Sequence, residues 1–508
     1  MKRPNSVMDH LPGAVYTARQ VRELDILAIS LEEIRTFELM ARAGEASFAC
    51  MLGKWPDVEH IGVLVGNGNN GGDGYYLAAL AALHGIGVTL YTLGDHSELS
   101  AASAESRQLA LDAGVMPHVF DGEFDFNGDL IVDALLGTGL NKPVSGLFAA
   151  AIHAVNNHPA EVLAMDLPSG LNADTGCIMG AAVRADMTVS YVGIKRGLLM
   201  MEGPELAGEI AYAPLSSVRE LGFQIIPDAE RISWHRLERQ RELLPQRTGN
   251  SHKGQFGHVM VIGGDHGMAG AVAMASEAAG RSGAGLVSCA TRPEHVTAIL
   301  CRRPEVMVHG VDSGLELAAC LEAPSVLAVG PGLGRGSWAE LLMQQVLNSD
   351  KPLVLDADGL NLLASPAWQR EFSERNVVLT PHPGEAARLL ELDTVEVQRD
   401  RFQAVRQLAA KYQAVVVLKG CGTLIGDPAG RVAICTDGNP GMASGGMGDV
   451  LTGVIAALMA QGCDAWKAAR LGVCLHSAAA DLVAAEHGER GLLATDLMPY
   501  IRNLNNAR

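Results

Sequence analysis

The sequence predicts a two-domain α/β protein in which each domain holds a buried, mostly parallel sheet between layers of helices. Short β-rich runs alternate with Ala-rich helical stretches along most of the chain. Such alternation is typical of βαβ units, whose crossover helices cover both faces of the sheet. The chain has 508 residues, and a single hydrophobic core stops growing at about 250 to 300 residues, so two domains are expected.

The first domain is predicted from three apolar runs that each end in glycine, at residues 61–66, 129–137 and 162–170. An Ala-rich stretch at 75–85 follows the first run and has the composition of a helix. Strands and helices in this alternation predict a Rossmann-like α/β/α sandwich. Because ligands of such sheets bind outside the carboxyl ends of the strands, the residues after each run are the candidates for a site.

The boundary between the domains is expected where this rhythm stops. Residues 221–253 concentrate charge, contain two prolines and include no apolar run of strand length. An apolar run at 258–264 then restarts the alternation, which continues to the closing Ala-rich helices. We therefore expect an N-terminal domain at 1–225 and a second α/β domain at 226–508.

Composition narrows the classes of function. The net charge of −18, from 39 basic and 57 acidic side chains, opposes binding to nucleic acid. The nine cysteines are scattered without a CxxC pair, which indicates neither a disulfide framework nor a zinc site and fits a reducing compartment. The N-terminus has no apolar h-region, and the apolar run at 450–460 is too short to span a bilayer. We expect a cytoplasmic protein with no membrane or nucleic-acid partner. We also expect a homo-oligomer, for example a tetramer.

A glycine-rich turn, GNGNNGGDG at 66–74, links the first strand to the predicted helix. Backbone N–H groups of such a turn can approach a phosphate, which is how an acidic protein can bind an anionic nucleotide. Asn69, Asn70 and Asp73 also place polar side chains in the turn. The alternative for these three residues is a local role, since Asn and Asp tolerate left-handed backbone and cap helices.

The next two strand ends carry further oxygen ligands. Asp133 lies in the second apolar run, and Asp166 and Ser169 lie in the third. Carboxylate, amide and hydroxyl oxygens without a soft ligand suit a hard cation. The alternative is that both aspartates cap the loops that follow them. Lys195 and Arg196 come later, in GIKRGLL, where one hypothesis is contact with an anionic ligand. We expect instead that they are solvated cations next to a strand end.

The segments GNGNNGGDG, VDALLGTGL and MDLPSGLNADTG resemble the NAD(P)H-hydrate epimerase family, and the resemblance covers most of residues 10–222. It implies a potassium ion held by Asn70, Asp133 and Ser169. It also implies that the hydrated dinucleotide is lined by Asn69, Asn70, Gly71, Gly72, Asp73, Gly137, Thr138, Gly139, Leu140, Asn141, Lys142, Pro143 and Asp166. Epimerisation requires the hydroxyl to leave and to return on the other face of the nicotinamide ring, so an acid/base is needed, and Asp133 is the candidate.

In the second domain the segment GNPGMASGGMGDVLTG at 438–453 places a string of small residues ahead of Asp449 and an apolar helix. A glycine-rich turn that opens a helix forms an anion hole, and an Asp at its mouth can accept a proton from a substrate hydroxyl during phosphoryl transfer. The alternative is an ordinary Asp cap on a buried helix. Upstream, Lys419 and Thr423 end a strand with donors for phosphate or ribose, and His382 lies between two prolines that stiffen its loop.

These pieces resemble the ribokinase-like superfamily, and more specifically the NAD(P)H-hydrate dehydratase family, over about residues 230–505 through SHKGQFGHVMVIGG, GPGLG, LDADGLNLL, TPHPGE, LKGCGT and GGMGD. The resemblance implies nucleotide contacts from Lys419, Gly420, Cys421, Gly422, Thr423 and Gly448. It implies that Ala271, Gly332, His382 and Asp449 face the hydrated dinucleotide. In that family ADP or ATP, used with Mg²⁺, phosphorylates the hydroxyl, and the departure of phosphate restores the nicotinamide ring.

Two positions depart from the family pattern. Met447 stands where relatives often carry a small hydroxyl residue, and Asp265 stands where a serine is frequent. Neither residue is one of the implied contacts. The departures affect the expected shape of the anion hole and any side-chain hydroxyl contact there.

Together the two resemblances predict an enzyme that repairs hydrated NADH and NADPH, because hydration produces R and S epimers and a stereospecific dehydratase alone would leave one of them. A first alternative is a small-molecule kinase of the vitamin or sugar type in the second domain. A second is that the first domain only binds its ligand and has lost catalysis. A P-loop ATPase is not supported, since the chain contains no GxxxxGK[ST] sequence.

Overall fold

The computed structural model describes Met8 and residues 10–217, 224–373 and 375–506. The first residues of the expected N-terminal domain, and residues 218–222 at the end of the first resemblance, lie outside the described residues. The chain divides after Glu230 into two compact units. The N-terminal unit is His10–Glu230, and the C-terminal unit begins at Arg231.

The N-terminal unit alternates strands and helices as its apolar pattern predicts. Its strands are β1 (Ala14–Tyr16), β2 (His60–Val65), β3 (Gly87–Thr92), β4 (Pro117–Val119), β5 (Leu130–Ala134), β6 (Glu161–Met165), β7 (Met187–Tyr191), β8 (Ile194–Lys195) and β9 (Glu209–Ala213). Its helices are α1 (Ala18–Glu32), α2 (Thr36–Lys54), α3 (Asn69–Leu83), α4 (Ala101–Asp112), α5 (Gly146–Asn157) and α6 (Gly203–Ala207).

The sheet of this unit has the strand order β4-β3-β2-β5-β6-β7-β9, and all neighbouring strands are parallel. Alternate residues of β2 enter two apolar clusters, with Val63 and Val65 in one and Leu64 in the other, so both faces of the sheet are covered. The chain proceeds outward in opposite directions from β2 and β5. This switch point is where ligands of open α/β sheets bind.

The C-terminal unit repeats this alternation on a longer sheet. Its strands are β11 (His258–Ile262), β12 (Leu286–Thr291), β13 (Met307–Gly310), β14 (Val326–Val329), β15 (Leu353–Leu355), β16 (Val377–Leu379), β17 (Val415–Leu418), β18 (Thr423–Gly426) and β19 (Val432–Cys435), after β10 (Ala229–Ile232) at the division. Its helices are α7 (Trp234–Arg239), α8 (Ala269–Arg281), α9 (Val296–Arg302), α10 (Gly314–Cys320), α11 (Ser337–Leu347), α12 (Ala357–Leu363), α13 (Pro383–Leu390), α14 (Thr394–Arg399), α15 (Arg401–Tyr412), α16 (Met447–Ala460), α17 (Ala465–His487) and α18 (Leu497–Asn506).

Strands β13-β12-β11-β14-β15-β16-β17 form a parallel sheet, and β18 and β19 continue it antiparallel. Helix α16 packs tightly on α8, because a Cβ added at Gly453 would lie 2.1 Å from the carbonyl oxygen of Ala275. This close approach fixes the start of α16, where Asp449 lies, against the first turns of α8. Two α/β units with parallel sheets confirm the predicted fold class.

One expectation about local structure is wrong, and one apolar helix was not singled out in the sequence. Residues 221–253 were expected to lack a strand, yet Ala229–Ile232 form β10, although only two of its four residues are apolar. Helix α17, not the run at 450–460, is long and apolar enough to cross a membrane, but 72% of its most apolar 18-residue window is buried inside the protein. Because most of this window is buried, α17 is a core helix of the C-terminal unit.

Candidate active sites

A cavity of about 480 Å³ opens in the N-terminal unit at the carboxyl ends of β2, β5 and β6. Its position matches the switch point of the sheet. Of the residues that the resemblance placed against the dinucleotide, the cavity is lined by Asn69, Asn70, Asp73, Gly137, Thr138, Gly139, Leu140, Asn141, Lys142 and Asp166. Gly71, Gly72 and Pro143 are not among the lining residues. Two of these glycines allow close packing instead, since an added Cβ would lie 1.9 Å from the Gly66 carbonyl oxygen at Gly71 and 2.6 Å from the Met40 sulfur at Gly72.

The polar side chains of the glycine-rich turn do not cap α3. The helix begins at Asn69, its N-cap is Gly68, and no side chain accepts a capping hydrogen bond there. Asn70 is 7% exposed, and neither its amide nitrogen nor its amide oxygen has a hydrogen-bond partner in the structure. A buried polar group without a partner costs free energy, so the Asn70 amide is available for a ligand.

Asp133 lies fully buried below the cavity and is not one of its lining residues. Its carboxylate accepts hydrogen bonds from the Ser169 hydroxyl at 2.6 Å, the Ser169 backbone N–H at 2.8 Å and the Leu135 N–H at 3.2 Å. Burial raises the pKa of Asp133 to about 6, and the hydrogen bonds from Ser169 oppose the rise. Asp133 thus orders the loop that carries Ser169, and its carboxylate does not line the cavity directly.

The three residues predicted to hold potassium lie close together around residues 135–137. The Ser169 hydroxyl accepts a hydrogen bond from the Leu136 N–H at 2.8 Å. Next to Leu136, a Cβ added at Gly137 would lie 3.3 Å from the Asn70 Cβ. Asp133, Ser169 and Asn70 therefore all lie against residues 135–137, although the three come from different strand ends.

The expectation that Lys195 and Arg196 are solvated is wrong. The Lys195 side chain is fully buried and forms an ion pair with Asp166, whose side chain is 15% exposed. Lys195 also donates to the Tyr191 carbonyl at 3.0 Å, and Arg196 is 8% exposed and pairs with Asp228 at 2.9 Å. Charged side chains are buried only when they are paired, and the sequence offered no sign of these partners.

Asp166 is held in an uncommon conformation beside the cavity. Its φ of 70° is in the left-handed region, which non-glycine residues seldom adopt. Backbone strain of this kind collects at functional sites, where surrounding contacts enforce it. Here the Asp166 N–H donates to the Val189 carbonyl at 2.8 Å, and Lys195 holds the carboxylate.

Two further carboxyl groups line the same cavity. Burial raises the pKa of Asp73 well above its usual range, and the negative charges of Asp166 and Asp25 add to the rise. Burial also raises the pKa of Asp25 to about 6, which Lys195 opposes. Asp25 belongs to α1, and no motif in the sequence pointed to it. The cavity is therefore lined by three carboxyl groups, and the buried ammonium of Lys195 pairs with one of them, Asp166.

In the C-terminal unit Asp449 lies in the first turn of α16, whose N-cap is Gly446 and not an acidic residue. The alternative of an ordinary Asp cap is therefore not what the structure shows. Burial raises the pKa of Asp449 to about 7, the carboxylate of Asp356 adds to the rise, and Lys419 opposes it. A carboxyl group with a pKa near neutrality is suited to accept a proton.

Lys419 lies at the opening of this helix. A Cβ added at Gly448 would lie 3.3 Å from the Lys419 Nζ and 3.5 Å from an Asp356 carboxylate oxygen. Lys419 donates to Asp356 at 2.8 Å, and the hydroxyls of Thr380 and Thr452 donate to the same buried carboxylate at 2.8 and 2.9 Å. Burial alone would raise the pKa of Asp356, but the charge of Lys419 and these hydrogen bonds hold it below its usual range.

We predict that Lys419→Met destabilises the C-terminal unit by about 3 to 5 kcal/mol, because the buried Asp356 carboxylate would lose its cation. Chemical denaturation followed by tryptophan fluorescence measures the change. Lys467→Met, on α17, is the matched control and should have little effect. Adding Asp356→Asn to Lys419→Met should recover part of the loss, and a double variant no more stable than Lys419→Met alone would contradict the argument.

The buried side chain of Arg401 orders the loop at 419–423, which follows β17. This guanidinium is 1% exposed and donates to the carbonyls of Leu418 at 3.1 Å, Lys419 at 3.3 Å and Gly422 at 3.4 Å. The Thr423 hydroxyl donates to the Gly420 carbonyl at 2.9 Å. Cys421 is exposed. The loop therefore presents an exposed outer edge at Gly420 and Cys421.

His382 begins helix α13 and is half exposed. The ring Nδ1 of His382 accepts a hydrogen bond from the Gly384 N–H at 3.0 Å. The backbone N–H of His382 donates to the Glu385 carboxylate at 2.8 Å. Burial and the charge of Lys419 lower the pKa of His382. Glu385 is 5% exposed and lies 3.9 Å from the Lys419 Nζ. His382 and Glu385 thus belong to the same cluster as Lys419.

Ala271, on α8, and Gly332 lie close to each other. A Cβ added at Gly332 would lie 3.2 Å from the Ala271 Cβ, and Met274, one turn further along α8, contacts Gly446 at the start of α16. Asp265, one of the departures from the family pattern, accepts a hydrogen bond from the Arg292 Nε at 2.8 Å. The other departure, Met447, is buried in the core at 6% exposure.

Three residues of the C-terminal cluster were missed by the sequence analysis. Asp356 and Glu385 lie inside LDADGLNLL and TPHPGE, so the motifs contained them without showing that they meet Lys419. Arg401 lies outside every motif. Only the folded chain shows that a residue of α15 orders the 419–423 loop.

Comparison with protein families matches each unit separately. Residues 36–197 match the family described as YjeF-related protein N-terminus. Residues 259–503 match the NAD(P)H-hydrate dehydratase family. The second match confirms the resemblance predicted from the motifs of the second domain.

Among solved structures, a ribokinase-like superfamily protein of Enterococcus faecalis is 31% identical and covers 55% of this chain and 96% of its own, with a TM-score of 0.50. An ADP/ATP-dependent NAD(P)H-hydrate dehydratase of Bacillus subtilis, co-crystallised with ATP and Mg²⁺, is 34% identical and covers 53% of this chain and 95% of its own, with a TM-score of 0.48. The Bifunctional NAD(P)H-hydrate repair enzyme Nnr of Coxiella burnetii is 48% identical and covers 97% of this chain and 99% of its own. This chain therefore belongs to the family of bifunctional NAD(P)H-hydrate repair enzymes.

Proposed function

We propose that the chain repairs hydrated NADH and NADPH at two sites. The N-terminal unit interconverts the R and S hydrates, and the C-terminal unit uses ADP or ATP to dehydrate the S hydrate to NAD(P)H with release of phosphate. The observation that carries the proposal is that one chain holds both sites, a cavity at the switch point of the first sheet and an anion hole at Asp449 in the second. An epimerase beside an S-specific dehydratase clears both hydrates.

The N-terminal unit binds potassium through Asn70, Asp133 and Ser169. Support comes from the donor set, which is all oxygen, and from the buried Asn70 amide oxygen, which has no hydrogen-bond partner. The ion would supply a fixed positive charge at the cavity, where the anionic dinucleotide must bind beside several aspartates. The glycine-rich turn and the 137–143 loop would hold the dinucleotide.

In the C-terminal unit Asp449 accepts the proton of the substrate hydroxyl as the phosphoryl group is transferred. The N–H groups at the start of α16 and the ammonium of Lys419 stabilise the charge that develops on that group. Mg²⁺ would bind with the nucleotide phosphates and neutralise part of their charge. The 419–423 loop would contact the nucleotide, while Ala271, Gly332 and His382 would face the hydrate.

We also propose a cytoplasmic homo-oligomer. Its nine cysteines are free thiols, which fits a reducing compartment. Analytical ultracentrifugation measures the oligomeric state, with a tetramer as one expected form.

The proposal is tested by following NADH absorbance while the purified chain acts on a mixture of R and S hydrates with K⁺, Mg²⁺ and ADP or ATP. Complete recovery of NADH with one phosphate released per hydrate is expected. Recovery of only the S fraction would show that the N-terminal unit binds without catalysing. A phosphorylated product that is stable would favour the small-molecule kinase.

A further inference from the structure

Helix α1 contributes a carboxyl group to the N-terminal cavity that no sequence motif singled out. Asp25 lines the cavity together with Val21, Arg22 and Ile29. These positions share one face of α1, so the helix is aimed at the cavity along two of its turns. The helix precedes residue 36, where the family match of this unit begins.

A second carboxyl group enters the same cavity from another structural layer. Asp166 follows β6 at the edge of the sheet, and its carboxylate is held by the buried ammonium of Lys195. The charge of Lys195 acts on Asp25 as well. The cavity therefore has carboxyl groups from its helical side, Asp25 and Asp73, and one from its sheet side, Asp166, which pairs with the ammonium of Lys195.

Epimerisation makes a demand that this arrangement meets. The hydroxyl leaves one face of the nicotinamide ring and water returns to the opposite face, so proton transfer is needed on two faces. A single carboxyl group at a fixed position serves one face. Asp133 serves neither, because it is fully buried and does not line the cavity.

Resting on the proposed epimerase function, we propose that Asp25 and Asp166 are the catalytic acid and base of the N-terminal site, and that Lys195 is the positioning residue for Asp166. Asp25 gives its proton to the hydroxyl oxygen as the carbon–oxygen bond breaks, which releases water and leaves a ring iminium cation. Water adds to the other face and gives a proton to Asp166. A proton then returns from Asp166 to Asp25 through solvent, so no net proton is gained or lost, and the reverse reaction follows the same path.

The charges around Asp25 suit this assignment. Asp25 faces Lys195 on β8, Asp166 after β6, Asp73 on α3 and Arg22 on its own helix. Burial raises the pKa of Asp25 to about 6, so a usable fraction holds a proton near neutral pH. The ammonium of Lys195 compensates the charge of the Asp166 carboxylate.

The test measures conversion of pure R hydrate to S hydrate by chromatography, in the full chain with K⁺ and without nucleotide, so that the dehydratase is silent. Asp25→Asn should lower kcat by about 100-fold or more, with little change in KM because binding contacts remain. Asp25→Glu should retain part of kcat. Above pH 6 the wild-type rate should fall as Asp25 loses its proton, and this decline should disappear in Asp25→Asn.

Glu23→Gln is the matched control, because Glu23 is on α1 and exposed. It should match the wild type, and every variant should still dehydrate S hydrate when nucleotide is added, which reports a folded chain. Wild-type kcat in Asp25→Asn, or equal inactivity of Asp25→Asn and Asp25→Glu, would overturn the inference. Failure of the wild-type chain to convert R hydrate would instead remove the proposed epimerase function.

Discussion

Asp449→Asn is expected to lower the rate of dehydration by roughly 10²- to 10⁴-fold, which is the contribution typical of a general base. Asn occupies the same volume and cannot take a proton from the substrate hydroxyl. Since Asp449 must be ionised to act and its pKa is raised to about 7, wild-type kcat/KM for the S hydrate should rise with pH through about 7. This rise should be absent in the variant.

The chain itself supplies the controls for this experiment. Conversion of R to S hydrate takes place in the other unit and should be unchanged in Asp449→Asn. Asp350→Asn makes the same substitution at an exposed position of the C-terminal unit and should leave dehydration at the wild-type rate. If Asp449→Asn kept wild-type turnover, Asp449 would have no part in proton transfer.

Asp133→Asn is expected to lower the rate of epimerisation by roughly 100-fold or more and to remove the dependence of that rate on potassium. The substitution removes a proposed metal ligand and also the hydrogen bonds that hold the neighbouring ligand Ser169 in place. The carboxylate accepts two hydrogen bonds from Ser169 and one from Leu135. An Asn side chain has one acceptor oxygen, and its amide N–H groups would oppose one of these donors. The loop that carries Ser169 would then lose its fixed position.

The measurement is the epimerisation rate against K⁺ concentration, with nucleotide omitted. Ser169→Ala, which removes one proposed ligand and leaves the Asp133 charge, should show a weaker response to K⁺ and an intermediate rate. Asp57→Asn is exposed in the same unit and serves as the control. A K⁺ response in Asp133→Asn equal to that of the wild type would exclude Asp133 from the ion site.

The main strands, helices α3 and α16 and the place of the N-terminal cavity at the strand ends could be predicted from the sequence, because these features depend on local order. Hydrophobic runs of strand length and glycine-rich turns are read along the chain, so β2, β5, β6 and β11 formed where they were predicted. Family membership could also be predicted, since motifs such as GGMGD and TPHPGE are contiguous. The strand β10 was missed because pairing, not its own apolar pattern, makes it a strand.

Tertiary structure decided which charged groups meet. The sequence predicts that Lys195 is a surface cation, and only the folded structure shows its buried ion pair with Asp166. Asp25 comes to the cavity of Asp166 from a distant part of the sequence, and Arg401 reaches the 419–423 loop from the preceding helix α15. The physical reason is that burial and neighbouring charge set ionisation and pairing, and both depend on distances between segments that no local pattern encodes.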